Sequence, residues 1–434
     1  MRSSTLQPNS SKKLLPWIIW GLCALFFLYE FLLRTALGTF QQPIMADLNL
    51  SSVKFSILST SSYLLISGLM QIPVGLIIDR YGLKKSLLIG AVVCALSAIG
   101  MAYSTTFIAA LTARLLTGLG AAFGFICLLI AVYDWLPIRN KALWIGLSQF
   151  IGTIGPMLAA GPLNTTANHG LVGWRLIFFA LGMIGIALAG VIFLVVKNPP
   201  KKRAISTSSH QLESFKSIIC ELFSRFQPWA IALFSGFLYF SIGYLSENET
   251  KIFLSLKGFS SNFSSYMITI AWLGYAIGCP LLGFLADYVQ SKKSLMTIAS
   301  CCCILASVAI VFATRQPQLL GAFFLLGIGA SSQSIGFAAM AEEVKPNHLA
   351  VGLSLNNGII ALTAAVSAPL IGSLIDFSKQ GSNTTLSNYY FAFSFFIAMT
   401  CIPLVLALFV FKPKVSPITL NTPQNGQIAT LKNE

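Results

Sequence analysis

Charge is scarce in this 434-residue sequence: Asp, Glu, Lys and Arg make up 9% of it, with 13 acidic residues and 3 histidines. A soluble domain carries roughly a quarter charged residues, so a water-facing globular surface is excluded. His169, His210 and His348 all fall outside the apolar runs, which excludes a histidine proton relay inside a membrane. The sequence also has no C-x-x-C pair, no G-x-x-x-x-G-K-(S/T) loop, no G-x-S-x-G and no paired catalytic carboxylates. Those absences argue against an enzyme, a metal site, a bound cofactor and ATP as the energy source. The nine cysteines lie almost entirely within apolar runs and read as small buried side chains, a disulfide or metal site being the alternative.

What the sequence has in quantity is apolar surface. Hydrophobic residues reach 56%, with 33 Phe and 34 Gly, and the mean hydropathy is +0.78. A bilayer-spanning helix needs roughly 20 apolar residues, and lipid forces such a run to be helical because nothing there bonds a free backbone group. Twelve runs qualify: Leu15–Gly38, Phe55–Ile78, Ser86–Tyr103, Phe107–Trp135, Ala142–Leu163, Trp174–Val196, Trp229–Leu245, Ser264–Ala286, Leu295–Thr314, Leu319–Met340, Leu349–Ile375 and Tyr389–Phe411. The first is expected to be retained, since no small-residue cleavage site follows it.

The formal charge of +15 encodes orientation and not a nucleic-acid partner. With both termini in the cytoplasm, 20 of the 28 basic residues fall on the inner side, the bias expected for an even number of spans. Arg34 and Arg114 are left inside spans. The chain divides into a tail over 1–14, a six-span unit over 15–196, a basic Ser/Thr-rich linker over 197–228, a second six-span unit over 229–411 and a tail over 412–434. Within the linker, Phe215–Phe226 has the pattern of an amphipathic helix lying on the inner leaflet, a regulatory domain being the alternative.

The two units repeat one another. After the second span stands GLIIDRYGLKK, with Gly75, Asp79, Lys84 and Lys85; after the eighth stands GFLADYVQSKK, with Gly283, Asp287, Lys292 and Lys293, each displaced by 208 residues. Gly118 and Gly120 recur as Gly327 and Gly329 at 209. The first loop matches G-x-x-x-D-(R/K)-x-G-x-(K/R)-(K/R) in full through Gly75, Asp79, Arg80, Gly82, Lys84 and Lys85, and Arg114, Gly118 and Gly120 match R-x-x-x-G-x-G. These are motifs A and B of the major facilitator superfamily, which the chain resembles over essentially its whole length. The resemblance implies an all-α membrane protein of twelve transmembrane helices in two pseudo-symmetric six-helix bundles, moving a small solute by alternating access. It also implies that Asp79 and Arg80 are conformational residues, against the plainer reading of a loop that only sets orientation. Tyr288 and Gln290 replace the Arg and Gly of motif A in the second half, so a weaker or asymmetric ion-pair network is expected there.

Ionisable groups inside a bilayer are costly and mark functional candidates. Glu30 and Arg34 stand four apart on one face of the first span. They read either as a proton-binding carboxylate beside a cation that anchors an anionic solute, or as a structural ion pair. Arg114, linked to proton coupling in the family, reads equally as a hydrogen-bonding post between helices. Tyr29, Tyr63, Gln149, Tyr239, Trp272, Gln333, Asn356 and Asn357 are further cavity candidates, while Glu247 and Glu249 sit at the outer mouth. Gly152, Gly155 and Pro156 partly resemble an antiporter motif, though with altered spacing and Ala159 and Ala160 in place of its glycines; close helix packing explains them as well.

The run Tyr29 to Arg34 resembles the first span of a proteobacterial subgroup that holds amino acid transporters and siderophore exporters. The expected activity is therefore proton-coupled uptake of a small polar or anionic metabolite, an amino acid by preference, in a bacterial inner membrane and by a monomer. An exporter, or a sensor that moves no solute, are the alternatives.

Overall fold

A computed structural model describes residues 10–50, 54–55, 57–137, 139–159, 163, 173–198, 224–247, 250–289, 291–379 and 385–410. The tail over 412–434, most of the linker with its amphipathic stretch, Ala160, His169, His210, Cys220, Glu249 and Gln290 lie outside them.

Helices account for nearly all of the described chain. They are α1 (Ser10–Thr39), α2 (Gln41–Asp47), α3 (Ser62–Tyr81, entered through a π-turn over Ile57–Ser61), α4 (Leu83–Ala102), α5 (Phe107–Ala121), α6 (Gly124–Trp135), α7 (Lys141–Leu158) and α8 (Trp174–Val195). After the linker come α9 (Phe226–Glu247), α10 (Thr250–Leu256), α11 (Ser261–Val289), α12 (Lys292–Phe312), α13 (Gln316–Ala330), α14 (Gln333–Glu343), α15 (Leu349–Lys379) and α16 (Leu386–Val405). Eleven segments among the described residues are long and apolar enough to cross a bilayer, with α5–α6 and α13–α14 each counting as one. The twelfth, α7, is less apolar because it carries Lys141, Gln149 and Pro156, and it packs between α1 and α11.

The internal repeat extends further than the loop motifs. The fourth and tenth spans are both broken, between Ala121 and Gly124 and between Ala330 and Gln333, at the same 209-residue offset. In each break the backbone N–H groups turn back onto the motif glycines: Ala122 and Phe123 donate to the carbonyls of Gly118 and Gly120, Ser331 and Ser332 to those of Gly327 and Gly329. The short helices α2 and α10 also correspond, both ending at a left-handed residue, Asn49 (φ 49°) and Gly258 (φ 87°). Leu50 N–H bonds to the Met45 carbonyl in one and Phe259 N–H to the Leu254 carbonyl in the other, a left-handed helix stop made with Asn in one half and Gly in the other.

The halves meet along two seams, α3 against α15 and α7 against α11. Both seams are tightest at the end that carries the Gly75–Lys85 loop, called here the basic end. A β-carbon on Gly75 would sit 2.9 Å from the Ala350 carbonyl oxygen, and one on Gly283 would strike the carbonyl of Ala142. Glycine is what lets backbone meet backbone at these points. On α7, Gly152 takes the Phe27 ring and Gly155 the α1 backbone at Leu28 and Leu32, which is the close-packing role. The eight described cysteines are free thiols.

Candidate functional site

Between the halves lies a cavity of ≈ 80 Å³. Its first-half wall comes from α1 (Phe27, Glu30, Phe31, Arg34), α3 (Tyr63, Leu64, Ser67, Gln71), Ala121, Phe125 and Gln149; its second-half wall comes from Tyr239, Gln333 and the α15 residues Asn357, Ile360, Ala361 and Ala364. Of the sequence candidates, Glu30, Arg34, Tyr63, Gln149, Tyr239, Gln333 and Asn357 meet here. The four-residue spacing of Glu30 and Arg34 does put both on the cavity face of α1.

Glu30 is buried, and its Oε2 accepts a hydrogen bond from the Tyr63 hydroxyl at 2.9 Å. It lies against Gly124, where a β-carbon would come within 3.0 Å of its Cγ, so the break in the fourth span makes room for the carboxylate. The Arg34 guanidinium carbon stands 5.3 Å from the Phe31 ring centre and 5.6 Å from that of Tyr63. Charged groups thus enter the cavity from the first half, whereas the second half presents a phenol and two amides. Aromatic contacts across the seam border the site: Phe31 meets Trp272 at 6.2 Å and Phe125 meets Phe337 at 4.9 Å. The Tyr275 hydroxyl holds Gln333 at 3.2 Å.

Other candidates are placed elsewhere. The Tyr29 hydroxyl donates to the Leu181 carbonyl at 3.0 Å, tying α1 to α8 on the side away from the cavity. Asn356 is fully buried in the second half, and neither atom of its amide has a partner among the described residues. Trp272 packs on Tyr239 and Tyr275 beside the cavity. Arg114 is buried behind the wall and bonds to backbone carbonyls. Ser67 and Gln71 escaped the sequence reading although a signal existed: with Tyr63 they form a polar stripe at intervals of four on a stretch otherwise apolar from Leu64 to Ile78.

At the basic end, motif A becomes a pair of matched contacts across the seams. Asp79 accepts from the N–H groups of Ala350 (3.4 Å) and Val351 (3.3 Å) at the start of α15. Asp287 accepts from Ala142 (3.4 Å) and Leu143 (2.9 Å) at the start of α7. Donors and acceptors all correspond at the 208-residue offset. A carboxylate on the first N–H groups of a helix satisfies donors that the helix cannot. The expected weakness of the second half therefore does not reach this contact, because the aspartate bonds to backbone and needs neither the missing Arg nor the missing Gly. The ion pairs do differ: Lys292 pairs with Glu342, while the Arg80 guanidinium lies over Tyr81 and the Lys84 ammonium over Phe193. Gly82 has φ 82° and Lys85 is exposed. Lys293 donates to the Leu408 carbonyl at 2.9 Å.

Residues 22–256 and 251–433 each match the family model described as Major Facilitator Superfamily. A hexuronate transporter of Bacillus subtilis is 25% identical over 357 residues, which cover 81% of this chain and 79% of the relative. A probable L-galactonate transporter of Escherichia coli is 26% identical over 375 residues, 80% of each chain. Among solved structures, the proton:xylose symporter bound to 6-bromo-6-deoxy-D-glucose aligns with a TM-score of 0.73 at 16% identity, over 93% of this chain and 96% of that one. The last is a likeness of fold.

Proposed function

The chain belongs to the major facilitator superfamily, and on that premise we propose that this membrane transporter carries a small organic anion of the sugar-acid class. It is a transporter and not an enzyme. The observation that carries the substrate class is the charge of the site: two guanidiniums, Arg34 and Arg114, and one carboxylate, Glu30, gather around Tyr63. Among the described residues this cluster, buried at Glu30 and Arg114 and half-buried at Arg34, holds two positive charges and one negative, and an anionic solute complements it. Arg34 supplies the fork for a carboxylate, and Ser67, Gln71, Gln149, Tyr239, Gln333 and Asn357 are suited to hydroxyl groups. The relatives named for hexuronate and L-galactonate support the same class, in place of the amino acid suggested by the first-span run.

Coupling is assigned to Glu30. A buried carboxylate bonded to a tyrosine and facing the solute cavity is placed to take up a proton and carry it across with the anion, offsetting the solute's charge. Asp79 and Asp287 latch the basic end and release α15 and α7 when that end opens. The protein works as a monomer in the inner membrane, with its basic end and both termini cytoplasmic.

Uptake into proteoliposomes tests the substrate class directly, using labelled glucuronate, galactonate, a neutral hexose and an amino acid panel with and without an inward proton gradient. Gradient-driven accumulation of a sugar acid is expected. Accumulation of amino acids alone would sink the reading.

A further inference from the structure

Arg114 on α5 is 2% exposed and lies outside the cavity lining. Its Nη1 donates to the Leu33 carbonyl at 3.2 Å, and its Nη2 donates to the carbonyls of Arg34 and Ser59, each at 2.8 Å. Its guanidinium carbon stands 4.8 Å from the centre of the Tyr63 ring. One side chain thus joins α1, at the residue that bears the cavity cation, to the π-turn that opens α3. A π-turn widens the backbone hydrogen-bond ring and turns a carbonyl aside for an outside donor; Ser59 supplies that carbonyl.

The molecule contains its own control. At the 209-residue offset Arg34 becomes Gly243 and Arg114 becomes Phe323, although Gly327 and Gly329 keep the motif glycines. The π-turn over Ile57–Ser61 corresponds to Tyr266–Ile270, which is uninterrupted α-helix within α11. The half with a cavity cation has the buried arginine and the π-turn; the other half has neither at the corresponding positions, its π-turn over Leu406–Val410 lying at the end of the last span. Helix packing alone needs none of the three, since the second half packs without them.

We infer that Arg114 is a positioning residue for Arg34: it clamps the α1 backbone at Arg34 to the π-turn of α3, fixing the direction from which the anion-binding guanidinium enters the cavity. A guanidinium stays protonated at any physiological pH, so this residue contributes a constant charge and a rigid fork and cannot carry the coupling proton. The inference rests on the reading of Arg34 as the anion anchor.

Arg114→Lys keeps the charge and loses the fork. In proteoliposomes, with glucuronate as the probe, it is expected to raise KM about tenfold, near the value of one charge-assisted hydrogen bond, while kcat and the pH profile of uptake stay close to wild type. A shifted pH profile, or an unchanged KM with kcat lost, would overturn the assignment. Amide hydrogen exchange supplies a readout that needs no substrate. Exchange should quicken in the variant over 33–38 and 57–63 alone. Unchanged exchange there, or acceleration spread over the whole protein, would show that no local clamp exists. If wild-type protein takes up no glucuronate, the sugar-acid reading fails, and the exchange pattern still decides the clamp.

Discussion

Substitution at Glu30 tests the proposed coupling. Its Tyr63 partner donates to one oxygen, and glutamine offers a carbonyl oxygen of the same reach, so Glu30→Gln should fold and keep its place beside Gly124. Counterflow exchange of a sugar acid is expected to persist in this variant, while accumulation driven by a proton gradient is lost; pH-dependent accumulation that survives would remove Glu30 from the coupling step. Arg34→Ala removes the cation that the site offers to a carboxylate, and truncating one partner of a buried charge pair costs about 2 kcal/mol or more. Binding of glucuronate should weaken about 30-fold at least, whereas a neutral hexose should be unaffected. Glu30 and Arg34 were legible in the sequence because an ionisable residue in an apolar run is rare and the four-residue spacing fixes a shared face. Tyr29 shows the limit of that reasoning: it adjoins Glu30 in sequence but points about 100° around the helix, and its hydroxyl meets α8.

The short helices between spans were not legible, and they repeat as closely as the spans. Each is fastened near the end of a neighbouring span by a cation whose position in the chain differs between the halves. In the first, Arg175 donates to the Ser104 carbonyl at 3.2 Å and pairs with Asp47 at the end of α2. In the second, Lys257 follows α10 and donates to the carbonyls of Ile310 (3.2 Å), Val311 (2.9 Å) and Ala313. Ser104 and Ala313 correspond at the 209-residue offset. The Trp174 indole and the Arg175 guanidinium hold the Asp47 carboxyl below the usual carboxylate range, so that clasp is complete at neutral pH and is lost only in acid. Burial pushes the Lys257 ammonium down from 10.5 to about 8. Between those values the folded protein binds fewer protons than the unfolded chain, so the Lys257 contribution to stability rises with pH across that window. Lys257→Met should lower the melting temperature above about pH 8, where the amine is neutral in the fold and its capping of the end of α12 carries no cost of burying a charge. It should also flatten the pH dependence of melting between about 8 and 10.5; scanning calorimetry of the purified protein checks both. A profile parallel to wild type would mean that Lys257 does not titrate there.

The two halves are joined at one end by four matched backbone-to-carboxylate bonds, and a cavity lies further along the seam. Removing one latch frees two N–H groups at a helix start, a loss of about 1 kcal/mol for a capping side chain. Asp79→Ala and Asp287→Ala should therefore shift the population toward the state open at the basic end by a similar factor in each case, and the double variant by roughly the product. Thiol labelling of Ser354→Cys, whose native side chain packs on Gly75 across the seam, reads that population from the basic side in a background without reactive cysteines. No increase in either single variant would show that the aspartates do not hold the seam. The membrane class, twelve spans, the six-plus-six division and the loop repeat were all readable along the chain, because lipid imposes helix and length on every apolar run and motif A is contiguous. The destination of Asp79 was not readable, for its partners at Ala350 and Val351 lie some 270 residues away and are backbone atoms that carry no residue signature. Neither was the sorting of Asn356 from Asn357, since adjacent positions on a buried helix differ only in which neighbour each meets: Asn357 reached the cavity and Asn356 the interior of its own half.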